Sequence, residues 1–113
     1  MEGYRVVIVS PEKDPVGEQL SIKEIHDYVG EMIQELPLFS DKIVMFNQLA
    51  KEQDQPISRH MVLREKGNIP ITIRGTFVVA KYISGNYESL SEAEVKQLLE
   101  LFKPADKAKA IYI

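Results

Sequence analysis

With 113 residues, 44% of them hydrophobic and 27% charged, the chain has the length and apolar content for one globular domain over residues 1–113, and too little for two. The absence of cysteine excludes disulfides, thiolate catalysis and cysteine-ligated zinc or iron–sulfur sites, and suits a reducing, cytoplasmic setting. The formal charge of −3 hides an asymmetry: segment 57–81 holds Arg59, Arg64, Lys66, Arg74 and Lys81 against Glu65 alone, a basic stretch in an acidic chain.

The apolar run at residues 6–9 is too short for the hydrophobic region of a signal peptide, and no stretch approaches a bilayer span, so no membrane association is expected. The sequence Y-R-V-V-I-V at residues 4–9 predicts a central strand buried on both faces. Two prolines, a glycine and four charges make residues 10–20 a loop. Ser21 and Glu24 then have the spacing of a capping box. Apolar residues at Ile22, Ile25, Val29, Met32 or Ile33, and Leu36 have the period of one amphipathic helix running almost to Pro37, with Gly30 as the local objection.

Residues 42–47 (K-I-V-M-F-N) read as a strand, residues 48–55 as a short helical turn ended by Pro56, and residues 58–63 as either a turn or a short strand. Residues 65–70 are turn material, with Gly67-Asn68 at the tip. The strongest strand signal covers residues 71–83, interrupted at Gly75, where a bulge or a close backbone approach is expected. After a turn at residues 84–86, Ser91 and Glu94 form a second capping box, with Leu90 and Val95 as its hydrophobic staple. Val95, Leu98, Leu99 and Phe102 make one helical stripe, and Pro104 stops it. The tail from residue 105 to 113 reads as loosely ordered, although Ile111-Tyr112-Ile113 is apolar enough to pair with a sheet edge. The expected fold is α+β: a mostly antiparallel sheet of four or five strands packed on the C-terminal amphipathic helix, with one further helix beside it.

Certain residues carry a resemblance. Val29-Gly30, then Asn47, Ala50-Lys51, Pro56 and Arg59, fit an N-x-x-[GA]-K-x(4)-P-x-x-R stretch, and Ile73-x-Gly75-Thr76-Phe77 and Ser89-Leu90-Ser91 follow it. In these the chain resembles a family of small bacterial and phage proteins, domain of unknown function 3846, over nearly its whole length. It departs from the family pattern at Glu31, Asp54 and Ser58. The resemblance implies that the first helix ends near Gly30 and that residues 32–36 form a strand, against the helical period; the family's version is adopted here. It also implies phage or mobile-element company, hence roles such as countering host defence.

No glycine-rich phosphate loop, H-E-x-x-H, G-x-S-x-G or calcium loop is present, so no cofactor is called for and a non-enzymatic role is the expectation. His26 and His60, the only histidines, lack the spacing of a metal site, and Ser58-Arg59-His60 is a run in sequence, which is no evidence of a nucleophile and its base. Glu24, Asp27, Glu31 and Glu35 read as a solvated helix face. The residues singled out for ligand or partner contact are Asn47, Lys51, Arg59, His60, Arg64 and Arg74, because guanidinium forks and nearby amides suit carboxylates and phosphates. The leading expectation is an accessory or inhibitor module that binds a protein. The alternative is a module for a small phosphate-bearing ligand, using segment 57–81. The overall acidity argues against nucleic acid, and a homodimer through a sheet edge is compatible with the pattern.

Overall fold

The computed structural model describes residues 3–104 and 110–113. Strand β1 (Tyr4–Val9) is followed by β2 (Val16–Leu20), α1 (Ile22–Val29), β3 (Ile33–Leu38), β4 (Lys42–Asn47) and β5 (Ile57–Leu63). A 3₁₀ turn (Arg64–Lys66), β6 (Ile69–Arg74), β7 (Phe77–Ile83), β8 (Asn86–Glu88), α2 (Glu92–Leu101) and β9 (Ile111–Tyr112) complete the order. The class is α+β, with two sheets. A six-stranded antiparallel sheet runs β2-β1-β7-β4-β3, with β8 also paired to β7; a three-stranded sheet runs β6-β5-β9.

The large sheet is apolar on both faces, as the continuous run in β1 requires. Val6 and Ile8 join Ile43, Met45, Val78 and Ala80 beneath Ile25 and Val29 of α1. Their neighbours Val7 and Val9 join Val44, Phe77 and Val79 on the opposite face, where Leu98 of α2, its C-cap Phe102, and Met61, Leu63 and Ile73 of the small sheet cover them. The predicted α2 stripe packs here, and Phe77 meets Phe102 edge-on at 5.5 Å between ring centroids. Each fully buried side chain of this kind contributes roughly 1.5–3 kcal/mol.

Both capping boxes are present. Ser21 accepts from the Glu24 amide while Glu24 accepts from the Ser21 amide, and Ser91 and Glu94 do the same. The Glu94 carboxylate also takes Lys42 and Lys81, each at 3.1 Å; these two lysines lie directly opposite on β4 and β7, so one anion relieves their repulsion and ties α2 to the sheet.

Two local expectations change, and the contested end of the first helix is decided. Residues 16–20, expected to be loop, form β2: Gly17 lets the strand lie against α2, since a Cβ there would stand 3.0 Å from Val95 Cγ1. The helical period stops at Gly30, whose φ of 131° and ψ of 171° suit glycine alone, and β3 follows, as the family resemblance implied. Residues 71–83 are not one strand but β6 and β7 in different sheets, and Gly75, at φ 76°, makes the crossing while its amide donates to the Pro56 carbonyl. In the tail, residues 105–109 lie outside the described residues, and Ile111–Tyr112 pairs in parallel with β5 at Met61 and Val62. No helix of the described residues is long and apolar enough to cross a membrane.

Candidate functional site

The six residues read from the sequence do not converge. Arg59 and His60 are consecutive in β5 and so face opposite sides of the small sheet. Arg59, 6% exposed, points inward. Its Nε donates to the Phe102 carbonyl, Nη1 to those of Ser10 and Ser58, and Nη2 to that of Lys13. The guanidinium therefore clamps the end of α2 and the loop after β1 onto β5. Burial lowers its pKa, with nearby Asp14 acting the other way, and a guanidinium stays charged in such a setting. His60 points outward with Nδ1 2.9 Å from the Thr72 hydroxyl.

Asn47 is also committed internally. Buried at the end of β4, it accepts from the Leu49 amide and donates to the Gln53 side chain, starting the turns of residues 48–55 as an Asx residue does. The Arg74 guanidinium reaches the Gln55 carbonyl at 3.3 Å, so Asn47 and Arg74 brace the two ends of one turn run. Lys51 and Arg64 are exposed at separate points. This accounts for three residues of the N-x-x-[GA]-K-x(4)-P-x-x-R stretch as architecture: Asn47 opens the loop, Pro56 ends it and Arg59 locks the next strand to the body, while Lys51 stays exposed.

A cleft forms elsewhere, on the α1 side of the large sheet. It has a volume of about 320 Å³, at the lower end of ligand-sized pockets. Register explains its make-up. Glu35 on β3 lies opposite Met45 on β4, so an acidic side chain from an edge strand stands beside an apolar floor. Ile22, Ile25 and His26 of α1 form one wall, and Glu31 and Met32 come from the connection that Gly30 allows. Tyr87 of β8 closes the far side. Its hydroxyl donates to Glu35 at 2.8 Å, and its ring lies 5.0 Å from Tyr82 and 5.9 Å from Tyr4. Burial, reinforced by the Glu35 carboxylate, pushes the Tyr87 phenol up to about 12, so it is a donor across the physiological range. The His26 Nδ1–H donates to the Gly30 carbonyl at 3.2 Å.

Sequence reasoning missed this site because its members come from α1, β3, β4 and β8, and only pairing register brings them together. The exposed carboxylates Glu31 and Glu35, read as one solvated helix face with Glu24 and Asp27, were the available signal; the helix ends before either. Among the described residues no group of three or more histidine, aspartate or glutamate side chains is arranged to hold a metal ion.

The architecture is thus a two-sheet α+β domain whose motif residues serve the fold and whose open cleft lies beside the first helix. The family model described as Domain of unknown function (DUF3846) matches residues 4–103, and the chain belongs to that family. No curated protein and no solved structure matches the chain.

Proposed function

We propose that this protein is a non-enzymatic accessory module that acts by docking on another protein, with the cleft beside α1 as the docking site. The observation that carries this reading is the pair of large apolar side chains left exposed at the cleft, Ile22 at 40% and Met32 at 51%, beside the buried Met45. Exposed aliphatic and thioether groups around a concavity gain most from a partner that desolvates them, and methionine adapts its shape to what it meets. Phage or mobile-element company, which the family resemblance implies, fits such a role, for example inhibition of a host defence protein.

The phosphate-ligand reading has less support. Its strongest residue, Arg59, spends its fork on backbone carbonyls, and Lys81 is paired with Glu94. An incoming anion would have to take Arg59 from Phe102 and Lys13, at a cost in stability that solvated cations do not carry.

Affinity capture from host lysate tests the docking reading, provided the recovered protein is then purified and bound directly. Wild type and Arg64→Ala are expected to retain the same partner, and Ile22→Ser with Met32→Ser to lose it. Equal retention by the cleft variant would remove the cleft from the reading.

A further inference from the structure

The cleft is not neutral, and its charge selects among partners. Glu31 and Glu35 both border it, and neither carboxylate has an ion-pair partner among the described residues. The other acids of this region are differently placed: Glu24 is engaged in the cap of α1, and Asp27 lies 3.7 Å from Lys23. Glu35 does receive a hydrogen bond, but from Tyr87, a neutral phenol, which orients the carboxylate without cancelling its charge. His26 is the one basic side chain in the lining, and its Nδ1 is turned to the Gly30 carbonyl.

Resting on the docking reading above, we propose that the cleft takes a lysine or arginine side chain from a basic segment of the protein partner. The aliphatic stem lies over Met45 and Ile33, and the cationic head meets Glu35 and Glu31. Burial favours this division of labour: Met45 is buried and Ile33 half-buried, whereas Glu31 and Glu35 are exposed, so a side chain with an apolar stem and a charged tip satisfies both at once. β3 is the outer strand of its sheet, so Glu35 is approachable along an open edge. An acidic partner segment would meet two uncompensated carboxylates and is excluded by the same geometry.

Amide NMR titration of the intact protein tests this with three acetylated and amidated tripeptides, Leu-Lys-Leu, Leu-norleucine-Leu and Leu-Glu-Leu. The lysine peptide is expected to shift the amides of Glu35, Met45, Gln48 and Tyr87, to bind roughly threefold or more tighter than the norleucine peptide, and to lose that margin in Glu35→Gln. Glu35→Gln keeps an acceptor for Tyr87, and its spectrum reports whether the fold is retained. Norleucine binding as tightly as lysine would overturn the charge selection while leaving an apolar docking cleft intact. No shift at the cleft with any of the three would overturn the selection and remove the cleft from the docking reading as well.

Discussion

At the scale of single residues, Arg59 shows how a functional-looking side chain can be architectural. Its place in a basic, motif-like stretch was legible, but the carbonyls it serves come from residues 10, 13, 58 and 102, and no spacing in the sequence joins them. Truncation leaves those acceptors in a buried site without a donor. Arg59→Ala is therefore expected to cost roughly 3 kcal/mol or more in urea unfolding, because each buried carbonyl left without a donor costs about 1–3 kcal/mol. Exposed Arg64→Ala should stay within about 0.5 kcal/mol. Near-equal midpoints for the two variants would contradict the clamp. Glu35 is the converse case: part of a solvated face in one dimension, it becomes the hydrogen-bond acceptor of Tyr87 once β3 and β8 take their places.

At the scale of elements, local chemistry was legible wherever it is local. Both capping boxes, the α2 stripe and the β4 strand follow from neighbours within a few positions. The end of α1 was contested, because the apolar period continues through Leu36 while Gly30 opposes it, and the backbone settles on glycine. Gly30→Ala would place a Cβ 3.1 Å from the Asn47 amide nitrogen in a conformation that L side chains avoid, so a loss of roughly 1–3 kcal/mol is expected in thermal or urea melts. An unchanged midpoint would mean that the connection relaxes.

Glu94 gives a pH signature at the same scale. Hydrogen bonding to the Ser91 backbone, followed by its contacts with Lys42 and Lys81, holds its carboxyl down at about 2 against an ordinary 4.5. A depressed carboxyl contributes stability above the unfolded value, and that contribution is lost as pH falls through the folded one. Stability should therefore decline between pH 4.5 and about 2, and Glu94→Gln should show a shallower decline in melts across that range. Glu24, lowered by its bonds to the Ser21 backbone and side chain, acts in the same direction. A Glu94→Gln slope equal to wild type would show that the cap and lysine contacts do not stabilise the ion.

At the scale of the whole molecule, the α+β class was legible, and the division into two sheets was not. One strong strand signal over residues 71–83 hides a change of sheet at Gly75, and β2 is too polar to announce itself. The charge asymmetry also changed meaning. The basic segment spans both sheets, with Arg59 on β5, Arg74 on β6 and Lys81 on β7 of the large sheet each holding an internal partner, whereas the cleft beside α1 is bordered by two carboxylates without an ion-pair partner among the described residues.

The most direct test of the docking cleft is the affinity of the purified partner for three proteins of verified fold: wild type, the Ile22→Ser and Met32→Ser double variant, and Arg64→Ala. Weakening of about tenfold or more confined to the double variant is predicted, the loss expected when central apolar contacts are cut back. Full affinity in the double variant with loss in Arg64→Ala would contradict it, and would move the interface to the basic segment on the other side of the molecule.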